Sequence, residues 1–358
     1  MTRLSANAVL PDFSSLPDAD LTTDSLKIAG LSIPNRALLA PMSGVSDLPF
    51  RRLAARYGAG LVVSEMVACD AVQRQSEEAR LRAEGEGLSL HVVQLAARDE
   101  EAMSEGVRIA EAAGASIIDI NMGCPAKRVT GGFAGSHLMR DLDIAERLIA
   151  SAVRTAKVPV TLKMRLGWDH TSLNAAQLAQ RAENVGVAMV TVHGRTRSQF
   201  YKGAADWDAI RPVVRAVRIP VIANGDLTRP EDAPKMLQRS GAAGVMIGRG
   251  AYGRPWIVGQ TGDVLKGKIP RPDPTGRERA DLIMEHYDMI LAHYGPVPGV
   301  RIARKHLAWY LDDFAMDAQA QAARGKLLRE TEPQRVKTEL AALLPDLGAD
   351  AASLREAA

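Results

Sequence analysis

The chain has few cysteines, few aromatic residues and no long apolar run. Its 358 residues include only Cys69 and Cys124, and aromatic residues account for 4% of the total. Two cysteines are too few for a disulfide framework and indicate a reducing, cytoplasmic setting. No segment approaches the roughly 18 uninterrupted apolar residues of a membrane-spanning helix. The first residues also lack a cleavable signal pattern, so we expect no membrane association.

A strong net charge is missing as well. The 45 Lys and Arg residues are nearly balanced by 42 Asp and Glu residues, which leaves a net charge of +3. A charge this small neither establishes nor excludes a nucleic-acid partner. Apolar residues make up 46% of the chain and charged residues 24%, values typical of a globular protein with a large core. At roughly 150 residues per domain, the length suggests about two domains.

Short runs rich in Val, Ile and Leu alternate with Ala-rich stretches of helical period through most of the chain. The strand-like runs begin near Ala37, Leu61, Leu90, Ile117, Val158, Ala188, Ile219 and Gly244. Eight strand–helix units predict an α/β fold, a (β/α)8 TIM barrel over residues 25–265. An open doubly wound sheet is the alternative, but no G-x-G-x-x-G motif opens the first unit.

Two regions flank this repeating pattern. Residues 1–24 mix Pro, Ser, Asp and Thr without periodicity and predict a loose N-terminal leader. After the Pro-rich sequence PRPDPTG (270–276), which we interpret as a hinge, only helical periodicity remains. We therefore expect a smaller all-helical domain over residues 270–350. Within it Arg301, Arg304 and Lys305 share one helix face, and their spacing alone favours a solvated surface.

The connection after the fourth strand is unusually long and contains a cysteine. It includes the sequence NMGCPAKR, in which Cys124 lies on a Gly/Pro turn with Lys127 and Arg128 close behind. Active sites of TIM barrels lie at the carboxyl ends of the strands, so this thiol is a candidate nucleophile or general acid. A buried apolar role is the alternative for Cys124, and it is the role that we expect for Cys69.

Polar side chains alternate along the strands in a way that directs them into the barrel. In VTLKMR, Thr161, Lys163 and Arg165 share one face of the strand, and the apolar residues share the other. The same alternation points further polar side chains inward, namely Gln94, Asp119, Asn121, Thr191 and His193. A lone inward lysine is often structural, but this many polar groups at one end of a barrel favour a binding site.

Glycine turns follow the last two strands, as Asn224-Gly225-Asp226 and Gly248-Arg249-Gly250. Glycine allows close approach of the backbone to a ligand, and these two loops are a common phosphate site of TIM barrels. We therefore expect a phosphorylated ligand with an arginine as its counter-charge. The His and Cys residues show no spacing typical of a metal site, so no metal is expected.

Several of these segments together resemble the tRNA-dihydrouridine synthases. The resemblance extends from about residue 27 into the C-terminal helices, where RKHLAWYL (304–311) is similar to the bacterial B-type branch. The matching segments in the barrel are APMSGVSDLPFRRL (40–53), SEM (64–66), DINMGCPAKRV (119–129), TLKMRLGWD (161–169), TVHGRTRSQFYKGAADW (191–207), IANGDL (222–227) and GVMIGRGAYGRPW (244–256). Small departures occur at Ser43, Ser46 and His137.

The resemblance implies a cytoplasmic FMN enzyme that takes hydride from NADPH and reduces the C5=C6 bond of tRNA uridines, with position 17 implied by the B-type similarity. Cys124 would donate the proton to C5. The residues implied to hold FMN are Pro41, Met42, Ser43, Gln94, Lys163, His193, Asn224, Gly225, Asp226, Gly248 and Arg249. The residues implied to contact the substrate are Asn121, Arg165, Arg195, Tyr201, Arg301, Arg304 and Lys305, the last three on the helical domain.

Two other functions remain open from the sequence. The first is an FMN-dependent reductase or dehydrogenase of free pyrimidines, of the dihydroorotate or dihydropyrimidine dehydrogenase kind, although such an enzyme has no need of a basic helical domain. The second is a non-catalytic RNA-binding barrel, against which Cys124, Lys163 and His193 argue. We expect a monomer.

Overall fold

A closed barrel of eight parallel strands forms the centre of the molecule, in agreement with the sequence prediction. The computed structural model describes residues 25–73, 76–312, 314 and 317–356. An antiparallel hairpin of β1 (Leu26–Ile28) and β2 (Leu31–Ile33) precedes the barrel. The barrel strands are β3 (Ala37–Leu39), β4 (Leu61–Ala68), β5 (Val92–Ala96), β6 (Ile117–Met122), β7 (Val160–Arg165), β8 (Met189–His193), β9 (Val221–Asn224) and β10 (Gly244–Ile247).

Helices surround the barrel because the outward-facing Val, Ile and Leu side chains of the strands must be covered. The connections contain α1 (Leu48–Arg56), α2 (Cys69–Gln73), α3 (Glu77–Ala83), α4 (Glu100–Ala112), α5 (Lys127–Thr130), α6 (Leu142–Thr155), α7 (Ala175–Asn184), α8 (Arg211–Ala216), α9 (Ala233–Ser240) and α10 (Ile257–Leu265). Aspartate side chains accept backbone N–H bonds at three helix starts, Asp47 before α1, Asp99 before α4 and Asp141 before α6. Such caps stabilise a helix by about 1 kcal/mol each.

The hairpin closes the amino-terminal end of the barrel. Leu26, Ile28 and Ile33 are buried and join a cluster with the first residues of the strands, including Leu61 and Ile117. Sequence periodicity did not predict this hairpin, since three-residue strands are too short to show a pattern. With one end of the barrel filled by apolar side chains, ligands have access from the opposite end, where the strands reach their carboxyl ends.

Four further helices follow the barrel, in the region predicted to be helical. They are α11 (Gly276–Tyr294), α12 (Pro296–Leu311), α13 (Ala318–Leu327) and α14 (Pro333–Glu356). Their apolar core also contains Leu53 of α1 and Trp256 of the barrel. Arg56 of α1 forms a bidentate ion pair with Glu285 of α11, at 2.6 and 2.7 Å. The helical region therefore shares a core with the barrel.

The linker between the two regions is held against the barrel. Asp273 accepts hydrogen bonds from Trp256 Nε1 at 3.0 Å and from Gln260 Nε2 at 2.7 Å. Arg271 pairs with Asp263 through Nε at 2.8 Å. The segment expected to be a hinge is therefore attached to the barrel by these hydrogen bonds and this ion pair.

The turn after β10 also touches the helical region. The Tyr252 ring stacks on the Trp309 ring of α12 with their centroids 4.1 Å apart. Gly253 has a φ of +65°, and a Cβ at this position would lie 2.5 Å from the Trp309 carbonyl oxygen. Only glycine fits such a left-handed turn against another backbone.

The loose leader expected over residues 1–24 lies outside the described residues. Within the described part of the chain, no helix is long and apolar enough to cross a membrane.

Candidate active site at the carboxyl ends of the barrel strands

A chain of buried hydrogen bonds crosses the barrel from β5 to β7. Gln94 Nε2 donates to Asp119 Oδ2 at 2.7 Å, and Asn121 Nδ2 donates to Gln94 Oε1 at 2.7 Å. Thr161 Oγ1 donates to Asp119 Oδ1 at 2.6 Å. Burial raises the pKa of Asp119, and these two donors to its carboxylate oppose that effect. The network fixes the orientation of the Gln94 and Asn121 amides that sequence alternation directed inward.

Asn121 in turn orders the cysteine loop. Its Oδ1 accepts from Gly123 N at 3.2 Å and from Cys124 N at 2.9 Å. On the other side of the cysteine, the Ser136 hydroxyl donates to the Cys124 carbonyl oxygen at 2.8 Å. Cys124 is partly exposed, whereas Cys69 is fully buried as predicted. The Cys124 thiol is therefore held on a defined turn at the mouth of the barrel.

Lys163 lies inside the mouth and is anchored to β9. Its Nζ donates to Asn224 Oδ1 at 3.1 Å, and Asn224 Nδ2 donates to the Met246 carbonyl oxygen at 2.8 Å. Burial lowers the pKa of Lys163 to about 8, with repulsion from Arg165 adding to the effect. The side chain remains a cation at neutral pH, since its pKa stays above 7.

Arg165, at the end of β7, ties two loops together. Its Nε donates to the Gly123 carbonyl oxygen at 2.7 Å. Its Nη1 donates to the carbonyl oxygens of Thr196 and Phe200, at 2.9 and 2.8 Å. Its guanidinium also lies 5.5 Å from the centre of the Tyr201 ring. Burial lowers the pKa of Arg165 to about 10. Arg165 thus brings the cysteine loop and the loop after β8 to the same point.

Arg195 has all five of its N–H groups engaged by the protein. Nε donates to Lys202 O, Nη1 to His193 Nε2 and Asp226 Oδ1, and Nη2 to Gly203 O and Asp226 Oδ2. The side chain is buried, and its ion pair with Asp226 measures 2.6 Å. These hydrogen bonds hold the loop after β8 against Arg195. The expected place of Arg195 beside the substrate stays a prediction.

The hydrogen bond between Arg195 Nη1 and His193 Nε2 fixes the tautomer of His193. Because guanidinium only donates, His193 Nε2 accepts, and a neutral ring carries its proton on Nδ1. Burial and then the positive charge of Lys163 hold the pKa of His193 well below its usual range. His193 is therefore neutral at physiological pH.

The residues predicted to hold a phosphorylated ligand come together at the ends of β9 and β10, where Arg249 contacts Asp226. Gly225 has a φ of +123°, and a Cβ there would lie 3.0 Å from His193 Cδ2. Arg249 donates to Asp226 Oδ1 at 3.2 Å and remains half exposed. Met42 lies beside these residues, at the end of β3, since a Cβ placed on Gly248 would lie 3.6 Å from Met42 Sδ.

Pro41 and Ser43 flank Met42 at the end of β3. The Met42 N–H donates to Ser46 Oγ at 2.8 Å, and Ser43 is exposed. The Gly44 N–H donates to the buried Glu65 carboxylate, a residue that the sequence analysis did not single out. The sequence SEM in the matching segments was the one signal for Glu65.

The three basic residues of α12 do not form a single exposed cluster. Arg301 is exposed, but Arg304 Nη2 donates to the Glu330 carbonyl oxygen at 3.0 Å. Lys305 Nζ lies 2.8 Å from the position of a Cβ on Gly44, at the barrel mouth, and burial lowers the pKa of Lys305. The solvated face favoured by the spacing is therefore wrong for Arg304 and Lys305. Lys305 instead brings a cation to the edge of the site.

A cavity of about 450 Å³ lies beside the mouth, at the ends of β4 and β5. Arg82, Arg98 and Ser76 line it together with Val129 and Ala134 of the cysteine loop. It is separate from the polar groups on the barrel axis, and sequence periodicity carried no signal for it.

The fold and the site together define a TIM-barrel enzyme, with a thiol, two cations and two glycine turns at one mouth. The model of the dihydrouridine synthase family matches residues 38–344. A protein of Rhizobium leguminosarum bv. phaseoli described as a probable tRNA-dihydrouridine synthase is 51% identical over 310 residues, which cover 87% of this chain and 95% of the relative. The tRNA-dihydrouridine synthase B of Vibrio cholerae is 44% identical over 289 residues, 80% of this chain and 90% of the relative. The chain belongs to the dihydrouridine synthase family.

Solved structures share the fold at low sequence identity. Histamine dehydrogenase from Rhizobium sp. 4-9 superposes with a TM-score of 0.52 at 11% identity, and the match covers 93% of this chain and 65% of that one. The 6-hydroxypseudooxynicotine amine oxidase of Pseudomonas geniculata N1 gives 0.53 at 13% identity, covering 75% of this chain and 53% of that one. These similarities concern the barrel architecture alone.

Proposed function

We propose that this protein reduces particular uridines of tRNA to dihydrouridine with a flavin bound at the barrel mouth. The observation that carries the proposal is the position of Cys124, which directly follows Gly123, whose carbonyl oxygen accepts from Arg165, and which lies on the turn after Asn121, the strand partner of Lys163. A proton donor beside two cations suits a reduction in which negative charge develops on a uracil ring. The relatives' names supply the substrate class.

The residues at the mouth fit FMN. Gly225 has a φ of +123°, which suits glycine in the tight turn after β9, and the half-exposed Arg249 provides a counter-charge for a phosphate. Lys163, Gln94 and His193 offer polar atoms toward a planar heterocycle. The full set proposed to hold FMN is Pro41, Met42, Ser43, Gln94, Lys163, His193, Asn224, Gly225, Asp226, Gly248 and Arg249. When bound and reduced by NADPH, FMN would supply the hydride that adds to C6 of the uracil.

Side chains of the protein would donate the proton, stabilise the developing charge and orient the uracil. Cys124 would act as the general acid and give its thiol proton to C5, from the partly exposed turn at the barrel mouth. Lys163 and Arg165 would stabilise the negative charge that develops on the ring before that proton arrives. Asn121 would orient the uracil, and it already fixes the backbone of the cysteine turn through its Oδ1.

The tRNA would reach the mouth from the helical region. Tyr201 is 54% exposed and lies beneath the guanidinium groups of Arg165 and Arg249, so it would lie beside the target base. Arg301, Arg304 and Lys305 would contact the phosphate backbone, with Arg304 also holding the turn between α13 and α14 through the Glu330 carbonyl oxygen. The similarity to the B-type branch supports position 17 of the D-loop as the target. One chain supplies the whole site, which supports a monomer, and a tRNA substrate supports a cytoplasmic location.

Reduction of an unmodified transcript tests the proposal. The purified protein is incubated with FMN, NADPH and the tRNA, and nuclease fragments are mapped by mass spectrometry. We expect a gain of two hydrogen atoms at a D-loop uridine. An unchanged transcript would contradict the proposal. Turnover of free uracil or dihydroorotate without tRNA would instead favour a reductase of free pyrimidines.

A further inference from the structure

A series of aromatic rings lies beside the mouth, on the loops after β6 and β7. We define it as the aromatic strip, made of Phe133, His137 and Trp168. The His137 ring meets the Phe133 ring edge-on at 4.9 Å, and it meets the Trp168 ring edge-on at 5.8 Å. The three side chains therefore form a continuous surface although the sequence separates them by up to 35 residues.

Phe133 is displayed to solvent by an unusual backbone conformation. Its φ is +59°, a region that residues other than glycine rarely adopt. Its N–H donates to the Thr130 carbonyl oxygen at 3.1 Å, which helps hold the turn. Phe133 is 64% exposed. A large apolar ring held outward by a strained turn favours a contact with a partner.

Two guanidinium groups lie over the Trp168 ring of the aromatic strip. Arg197 lies 4.5 Å and Arg140 lies 5.0 Å from the centre of the Trp168 ring. The nearby carboxylates of Asp141 and Asp169 are held on their own loops. Asp169 Oδ1 accepts from Thr171 and Ser172, and Asp141 Oδ1 accepts the first N–H groups of α6. The surface therefore combines aromatic rings with two guanidinium groups.

We propose that the aromatic strip binds an unpaired tRNA nucleotide adjacent to the target uridine, by stacking on Phe133 and by contact of its phosphate with Arg140. This inference rests on the proposed tRNA substrate. Proteins recognise single-stranded RNA by stacking splayed bases on aromatic side chains and by pairing phosphates with cations. Arg165 contacts both the cysteine loop, at Gly123, and the loop after β8, at Phe200. A base extruded into the mouth leaves its neighbour near the strip, because Ser136, which precedes His137, donates through its N–H and its hydroxyl to the Cys124 carbonyl oxygen.

The binding test uses the flavin-loaded enzyme, without NADPH, and a fluorescently labelled unmodified tRNA. Phe133→Ala should weaken tRNA binding about 10-fold, since stacking on an aromatic ring contributes strongly per base. Phe133→Tyr, which keeps the ring, should bind as the natural protein does. Ile269→Ala removes another highly exposed apolar side chain, on the linker, and should have no effect. Arg140→Gln should lower the slope of log Kd against log salt by about one.

The outcomes separate this inference from the proposed function. If the natural protein makes dihydrouridine and Phe133→Ala binds tRNA with unchanged affinity, the inference is overturned while the function stands. An equal loss in Ile269→Ala, or a loss of flavin from Phe133→Ala, would also overturn it. If the natural protein makes no dihydrouridine, the proposed function itself fails.

Discussion

The two cysteines illustrate how surroundings assign different roles to the same side chain. Cys69 is fully buried, and burial raises the pKa of its thiol to about 12. Gly106 packs so closely that a Cβ there would lie 2.4 Å from Cys69 Sγ. Cys124 instead lies on a partly exposed turn held by Asn121 and Ser136. Cys69 therefore fills space, and Cys124 is free for chemistry.

Replacing Cys124 tests its role as an acid. Cys124→Ala should fold and bind FMN but lose about 10²–10⁴-fold in turnover, the usual contribution of a placed proton donor. Dihydrouridine formation under single-turnover conditions measures the loss. Cys69→Ala is the matched control, and it should keep turnover while it lowers the melting temperature. Near-normal turnover by Cys124→Ala would contradict the assignment.

Lys163 predicts a pH dependence of cofactor binding. Its pKa is lowered to about 8 by burial, so the side chain is charged below about pH 8 and neutral above it. If this charge attracts the electron-rich flavin, FMN affinity should fall as the pH rises from about 7 to about 9. Titration of the apoprotein with FMN, followed by fluorescence quenching, measures this. Lys163→Arg should remove the decline, because arginine stays charged throughout this range. A decline of equal size in Lys163→Arg would assign it to another group.

At the scale of elements, much of the architecture follows from the sequence. All eight barrel strands were predicted because Val- and Ile-rich runs recur at the barrel's spacing, and the alternation in VTLKMR directed Lys163 inward. The hydrogen-bond partners of Arg195 were not predictable, because two of them are backbone carbonyl groups, which any residue type presents. The contact of Arg304 with Glu330 was not predictable either, because the spacing of residues on a helix does not show which other segment packs against that helix face.

A buried cluster joins α1 to α11 and α12. Atoms of Asp47, His286 and His306 lie within 4.8 Å of one another, and all three residues are buried. His286 Nδ1 pairs with the Tyr310 hydroxyl at 3.0 Å. Burial lowers the pKa of His286 to about 3 and raises the pKa of Asp47 to about 7. Folding therefore keeps the histidine uncharged in this cluster.

This cluster predicts that the free energy of unfolding decreases in acid. His286 binds a proton near pH 6.5 when unfolded but only near pH 3 when folded, so its stabilising effect is lost as the pH falls below 6.5. At about pH 5 this costs about 2 kcal/mol. Asp47 acts in the opposite direction, because its raised pKa makes the folded state less stable as the pH rises from about 4 to about 7.

Comparison of variants isolates the histidine contribution. His286→Phe should show a flatter dependence of the free energy of unfolding on pH between about 6.5 and about 4.5 than the natural protein. Urea unfolding at several pH values measures the slope. His170→Gln, a change of an exposed histidine, should leave the slope unchanged. An identical slope in His286→Phe and the natural protein would refute the prediction.

At the scale of the whole molecule, the barrel and the C-terminal helices depend on each other. The helical core includes Leu53 and Trp256, which are 1% and 0% exposed in the complete protein. A chain ending at Gly267 would expose both side chains and lose the Arg56–Glu285 ion pair. We expect it to aggregate, because contiguous apolar surface of this kind drives association. Size-exclusion chromatography of the shortened and complete chains checks this, and a soluble, flavin-binding monomer would contradict it.

The turn at Gly253 has a thermodynamic consequence. The chain runs from Arg249, which is proposed to bind a phosphate, to Gly253, which packs against the backbone of Trp309 in α12. No space is left for a Cβ at Gly253. Heat should therefore unfold the barrel and the C-terminal helices in one cooperative transition. A small ligand bound at Arg249 would then delay the melting of helices that it never touches, since any ligand that prefers the native state stabilises the entire cooperative unit.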